Sequence, residues 1–180
     1  SMEGTQIQTA ASIFVNVNLS AAFSTCTVML ITRARYGKSD ISMTINGALA
    51  GLVISTGCCA YIEPVGAALI GILAGALLVP SLELVDKKLH IDDPVGAVSV
   101  HGVMGFVGTL LTGLLSLDTG LFYGGGFHML GIQLLGVVSV ILWVTITMVI
   151  VFNLLKHTIG LRASVEEETK GLDVTEHNLA

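Results

Sequence analysis

The stretch GIQLLGVVSVILWVTITMVIVFNLL, Gly131 to Leu155, carries no charged residue and exceeds the roughly 20 apolar residues that a helix needs to cross the hydrocarbon core of a bilayer. It reads as a membrane span. Four more stretches read the same way: Thr9 to Thr32, Ser42 to Gly57, Val65 to Val85 and Val95 to Leu115. The first two are less uniform, because the first holds Asn16 and Asn18, and the second is short and contains Asn46. Hydrocarbon offers an amide no water to pair with. These two spans are therefore expected to face protein on at least one side, with the amides paired to a neighbouring helix.

Composition agrees with that reading. Hydrophobic residues make up 53% of the 180 and charged residues 12%, with a mean hydropathy of +0.85. A soluble domain carries about 25% charged residues, so this chain cannot cover a water-facing surface in the usual way. A soluble buried core would also need an amphipathic surface helix, and the five stretches include none. The formal net charge of −5 conceals an uneven distribution. Ahead of the first span, Met2 is followed by no basic segment and no small-residue cleavage site, so no signal peptide is expected. Three cysteines form no disulfide framework, and the adjacent pair Cys58 and Cys59 would be strained as a bridge.

The basic residues set an orientation. Arg33, Arg35 and Lys38 lie between spans one and two, Lys87 and Lys88 between three and four, and Lys156, Arg162 and Lys170 after span five. These are all eight, and five alternating spans put every one on the same side. Lys/Arg-rich loops are cytoplasmic, so the start of the chain is expected outside and its C-terminus inside. The opposite loops, Cys58 to Pro64 and Ser116 to Leu130, hold no basic residue. The second of these carries Gly124-Gly125-Gly126 with Phe122, Tyr123 and Phe127, which read as interfacial aromatics. Residues 1–163 are thus expected to form the membrane region, and residues 164–180, with Glu166 to Glu168, Asp173 and Glu176, a polar, mobile cytoplasmic tail.

Glycines concentrate inside the spans. Gly47 and Gly51 are four apart, as are Gly71 and Gly75, while Gly102, Gly105 and Gly108 recur every third residue. Small residues at such spacing let helix backbones come close in lipid, so a tight bundle is expected.

Span four holds the residue with most chemistry. Asp92-Asp93-Pro94 forms its start signal, with proline at the first helical position and acids before the positive end of the helix dipole. His101 follows, with Ala97 and Gly105 one helical turn to either side on the same face. An ionisable side chain inside a membrane is a functional hypothesis in its own right. Neutral imidazole still offers one donor and one acceptor and can pass a proton. The plain alternative is a histidine that only hydrogen-bonds between two helices. His90, His128, His157 and His177 lie near or beyond the membrane edges and share no metal-ligand spacing. No metal or other cofactor is expected. There is no nucleophile–base set, phosphate loop or nucleic-acid patch, so neither an enzyme nor a nucleic-acid partner is expected.

The segment Asp92-Asp93-Pro94 with Val100-His101-Gly102-Val103 and Gly105 resembles a motif of the Amt/Mep/Rh ammonium transporters, on the Amt side. Asn46 to Val53, Gly57-Cys58 and Tyr61 are similar to that family's helix and outer loop two spans earlier. Gly160-Leu161-Arg162, Glu166 to Glu168, Gly171-Leu172-Asp173 and Glu176-His177 resemble its cytoplasmic tail. The resemblance runs in order along essentially the whole chain. It implies an all-α integral membrane fold in which these five spans are the last five of eleven, with the N-terminus outside and the C-terminus inside.

The resemblance also implies passage of ammonium, deprotonated to ammonia, through an apolar pore past two facing histidines. An apolar lumen is a barrier to hydrated potassium or sodium. By residue matching, His101 corresponds to the second histidine, Ala97 to a pore-lining position, and Asn46 and Thr56 to pore-adjacent positions. The family often has serine where Asn46 stands. The first histidine and the outer aromatic site belong to helices outside this chain. Further implications are a homotrimer, residence in the plasma (inner) membrane, and a PII-type signalling protein docking at the cytoplasmic face. A different reading of the same fold is an ammonium sensor or docking module that signals through the tail.

Overall fold

A computed structural model describes residues 2–175, with side chains from residue 9 onward. Ser1 and the tail positions Glu176 and His177 lie outside the described residues. The chain divides into two units, residues 1–137 and 138–180. Its described elements are helical: α1 (Met2–Tyr36), α2 (Ile41–Thr56), α3 (Pro64–Glu83), α4 (Met104–Leu115), α5 (Phe127–Thr158), α6 (Val165–Lys170) and α7 (Leu172–Thr175). Wider π-type turns extend α3 through Leu84–Lys88 and lead into α4 through Val98–Val103.

Four stretches are long and apolar enough to cross a bilayer: Thr9–Tyr36, Pro64–Lys88, Val98–Leu115 and Phe127–Thr158. The helix α2 has 16 residues, about 24 Å at 1.5 Å per residue, against a hydrocarbon core of about 30 Å. Local chemistry sets its ends. The Asp40 carboxylate accepts the Met43 amide at 2.8 Å as an N-cap, and the amides of Cys58 and Cys59 fold back on the Ser55 carbonyl at 3.0 and 2.8 Å. Helix α3 starts at Pro64, whose missing N–H costs nothing in the first turn.

In the first unit, α1 is the centre of the packing. Its residues Asn16, Ser20, Ser24, Val28 and Thr32, each four apart, are all fully buried. Both expected glycine pairs close on that stripe. A Cβ added at Gly51 would stand 2.5 Å from the Ser20 carbonyl oxygen, and one at Gly71 would collide with the same oxygen from the α3 side. Gly47 lies against Thr25 and Val28, and Gly75 against Ser24 and Thr27. The Ser20 hydroxyl donates to the Gly51 carbonyl at 2.8 Å. This is how a small polar residue stabilises a helix pair where lipid gives little drive for association.

The two asparagines of α1 differ. Asn16 is 1% exposed, and its Nδ2 donates to the carbonyls of Cys59 at 2.8 Å and Ile62 at 2.9 Å. It thus pairs with a loop rather than with another helix. Asn18 is exposed and donates to the Phe14 carbonyl of its own helix at 2.8 Å. An amide at the helix surface needs no neighbour when the carbonyl four residues back lies within reach.

Contacts at the two ends of the first unit agree with alternating helices. At one end, Glu83 accepts from Arg35 at 2.7 Å, the Tyr36 hydroxyl at 2.8 Å and Lys87 at 3.2 Å, bringing the first two basic segments together. At the other end, the Leu117 amide donates to the Tyr61 carbonyl at 3.0 Å, joining the two loops that lack basic residues.

In the second unit, the remainder of α5 exposes its apolar side chains, Trp143, Ile146, Ile150 and Leu154 among them. The tail holds two short helices, α6 and α7. Ser164 and Glu167 form a reciprocal capping box that starts α6. The Arg162 guanidinium grips the Glu168 carboxylate with Nε at 2.7 Å and Nη2 at 3.1 Å. These bonds hold both glutamates below the usual carboxylate range, Glu168 through Arg162 and Glu167 through Ser164.

Candidate functional site

The matched residues lie along a wall formed by α2 and the helix that carries His101. Gly96 stands beside the Asn46 amide, Gly105 beside Val53, and Gly57 beside Gly108 and Thr112. Successive residues of one helix meet successive residues of the other, so the two run parallel. Along the wall the order is Asn46, Ala97, His101 and then Thr56.

Asn46 is half-buried at the start of the wall. It helps line a cavity of about 350 Å³ between the first turn of α2, the end of α3 and the Asp92–Gly96 turn. Asp40, Glu83, Asp86, Asp92 and Asp93 line the same cavity, with Lys87 as the basic member. At the far end of the wall, Thr56 is exposed, and its hydroxyl donates back to the Val53 carbonyl at 2.7 Å. The expected residues thus stand on two neighbouring parallel helices, and Asn46 and Thr56, ten positions apart on α2, are separated by about 15 Å of helix.

The approach to His101 differs from the expected one. Pro94 does not occupy the first helical position. It lies with Val95 in a turn, and helical structure begins at Ala97, leading directly into the π-type turn at Val98. The cause is Gly96, whose φ of +72° lies in the left-handed region, where a helix of L-residues cannot run. Asp93 reaches across this break. Its two carboxylate oxygens accept the Ala97 amide at 2.6 Å and the Val98 amide at 3.0 Å. The acidic start signal therefore acts as a true cap, displaced by several residues from where the proline suggested.

His101 stands on the π-type turn rather than on α-helix. The Met104 amide donates to the carbonyls of both Ser99 and His101, and the bond to Ser99 encloses the extra residue of a π turn. Ala97, Val98, His101 and Gly102 are exposed, whereas Ser99, Val100 and Met104 are buried. The imidazole has no hydrogen-bond partner among the described residues. Gly102 and Gly105 leave space beside it, since a Cβ on either would meet nothing closer than 3.9 Å. On the buried side, the Ser81 hydroxyl of α3 donates to the Ser99 hydroxyl at 3.0 Å, with Ser99 fully buried.

Sequence reasoning missed the π turn, the Ser81–Ser99 pair and the Asn16 clamp. Gly96, between an acidic turn and the histidine, was the available signal for a late helix start. Neither serine stood out, because a small hydroxyl residue in a span is ordinarily satisfied by its own helix. Cys58 belongs to no site. Burial pushes its thiol up to about 12, and neighbouring Cys59 adds to the effect, which keeps it protonated and unreactive. Among the described residues, no three His, Cys, Asp or Glu side chains gather where a metal could bind.

Comparison with known proteins agrees along the full length. Residues 1–180 match the family model described as Ammonium Transporter Family. The chain is 39% identical over 175 residues to ammonium transporter Amt2 of Archaeoglobus fulgidus, covering 90% of this chain and 37% of that protein. It is 38% identical over 180 residues to an ammonium transporter of Mycobacterium tuberculosis, covering 93% and 38%. Among solved structures, a sensor Amt protein superimposes with a TM-score of 0.85 at 34% identity, over 93% of this chain and 42% of that one. Mep2 of Candida albicans superimposes with a TM-score of 0.79 at 28% identity, over 88% and 38%. The chain therefore spans little more than a third of the length of the curated relatives it matches. An all-helical fold of apolar spans, a parallel wall carrying the matched residues and a full-length family match lead to one conclusion: this is a multi-pass membrane protein, and it belongs to the Ammonium Transporter Family.

Proposed function

We propose that the protein containing this chain moves ammonium/ammonia across a membrane, and that the α2–α4 wall forms one side of its pore. The observation that carries this reading is His101, exposed next to Gly102 in a membrane-spanning bundle, with Ala97 and Gly105 one turn to either side. A group that can donate and accept while neutral is suited to a narrow apolar path, where a fixed charge would be costly. Ala97 gives the lumen a small side chain next to it, and Asn46 and Thr56 mark the two ends of the wall. In the complete protein reconstituted in proteoliposomes, His101→Ala is expected to abolish ammonium current or alter its selectivity over potassium. Unchanged current and selectivity would remove His101 from the mechanism.

The finer reading follows the same lines. Residues 1–163 form the membrane region as five spans, the last five of eleven, with α2 included. Residues 164–180 form a cytoplasmic tail in a plasma (inner) membrane protein. The parallel course of α2 and α4 and the shared basic end at Glu83 support this topology. Labelling of cysteines placed at Lys88 and Thr119 from opposite sides of the membrane tests it. A homotrimer and a PII-type partner on the cytoplasmic face complete the proposal. Cross-linking in native membranes tests the first, and partner binding to vesicles with the chain cut after Arg162 tests the second.

A second reading is an ammonium sensor that signals through the tail. It is favoured by the similarity to a structure named as a sensor Amt protein. Ammonium-dependent partner binding without measurable current would select it over transport.

A further inference from the structure

We propose that Ser81 is a positioning residue for His101: its hydrogen bond to Ser99 holds the π-type turn in place and thereby sets where the imidazole stands. The inference rests on the reading of His101 as the working group of the wall.

The turn from Val98 to Val103 is held from three sides. On its N-terminal side, Asp93 caps Ala97 and Val98 across the left-handed Gly96. On its C-terminal side, Met104 is fully buried, and Gly108 presses so closely on the Ile54 carbonyl that no side chain would fit between them. Between these anchors the backbone accommodates the extra residue of a π turn. An α-helix rotates about 100° per residue, so moving or losing that residue would swing His101 by a large fraction of a turn. The third hold is lateral, on the buried side, where Ser81 reaches Ser99 at 3.0 Å.

Like Ser20, whose hydroxyl crosses to the Gly51 carbonyl of α2, Ser99 is paired across helices, unlike most hydroxyls in the spans. Thr25, Thr27, Thr32, Ser55, Thr109 and Thr112 all donate back to carbonyls of their own helices. Ser99 accepts instead from a different helix, two positions before His101. Such a bond fixes the rotation of the turn about its axis, which back-bonding within one helix cannot do. Ser81 itself follows Pro80, which lacks the N–H to continue the α3 ladder.

The test uses the complete transporter in proteoliposomes, with Ser81→Ala, Ser99→Ala and the double variant. Three readouts are taken: thermal unfolding in detergent, selectivity for ammonium over potassium, and the rate at which diethyl pyrocarbonate modifies His101, followed by peptide mass spectrometry. Removing one hydroxyl strands the other, while removing both strands none. The single variants should therefore lose thermal stability and the double variant recover most of it. A positioning role expects all three variants to keep an altered selectivity and a His101 modification rate changed by about fivefold, the ratio expected for one modest interaction. If selectivity and modification return to wild type together with stability in the double variant, the bond is only structural and the proposal is overturned. Wild-type modification rates in all three overturn it as well. His101→Ala, measured in parallel, separates the two levels: unchanged selectivity there refutes the pore reading, whereas the modification rate still decides whether Ser81 places the imidazole.

Discussion

Helices α3 and α4 with their flanking turns are both rich in glycine and use it in different ways. On α3, Gly71 and Gly75 both lie against the backbone of α1, at Ser20 and Ser24. On α4 and its leading turn, Gly108 and Gly113 approach backbone in the same way, at Ile54 and Leu130, while a Cβ at Gly102 or Gly105 would meet nothing closer than a side-chain methyl at 3.9 Å. One set of glycines brings backbones together. The other meets no backbone. Glycine content alone does not distinguish these roles, because both require the absence of a side chain. The neighbouring residue types do: a stripe of Ser and Asn faces the first set, and an ionisable ring sits among the second.

The comparison is most severely tested at Gly71. Gly71→Leu forces a branched side chain into the Ser20 carbonyl, and overpacking of this kind costs about 1–3 kcal/mol or more. The expected outcome is loss of the monodisperse peak on size exclusion in mild detergent. A well-folded variant would mean that α1 and α3 can separate without penalty. Next is Asn16→Ala, which leaves the Cys59 and Ile62 carbonyls buried without their donor. A cost of about 1–3 kcal/mol is expected, read as lower thermal stability together with faster hydrogen exchange in residues 58–63. Gly102→Ala sits at the other pole, because its Cβ would approach nothing closer than 3.9 Å. Its stability should stay within about 0.5 kcal/mol of wild type, while ammonium current changes. A large drop in stability instead would place Gly102 in the packing set.

The smallest effect is expected in the tail. Glu167 and Glu168 are held below the usual carboxylate range by Ser164 and Arg162. A carboxylate with a depressed folded value stabilises its surroundings above its ordinary value and loses that contribution as pH falls through the depressed one. Order in α6 should thus be constant from neutral pH to about 4.5 and decline only below it, as followed by amide chemical shifts. Arg162→Gln should remove the Glu168 part of that transition and leave the Glu167 part.

The membrane class was legible because apolar runs of this length have few other uses. The glycine pairs on α2 and α3 were legible as packing sites because their spacing matches one turn of helix. The start of the His101 helix was misjudged. Proline at a first turn is a statistical signal, whereas the left-handed Gly96 and the forward reach of Asp93 depend on how the turn meets α2. Asn16 was expected to pair with another helix, but its partners are loop carbonyls 43 and 46 residues away, and no local pattern encodes that distance. The His101 neighbourhood was legible as chemistry from residue type alone. Its π turn was not, since the extra residue reflects anchors on both sides and a hydroxyl from another helix.

The Ser20 clasp has a consequence for how the protein is made. Its two backbone partners, Gly51 and Gly71, are synthesised after it, the second by roughly fifty residues. At about 5–20 residues per second, α1 therefore waits several seconds with its polar stripe unmatched. During that interval the stripe must be sheltered by the insertion machinery, by water at its flank or by another part of the nascent chain. Slowing elongation between residues 37 and 71 would lengthen this exposed period. The burden should appear as degradation of newly made chains, even though the mature protein's sequence is unchanged.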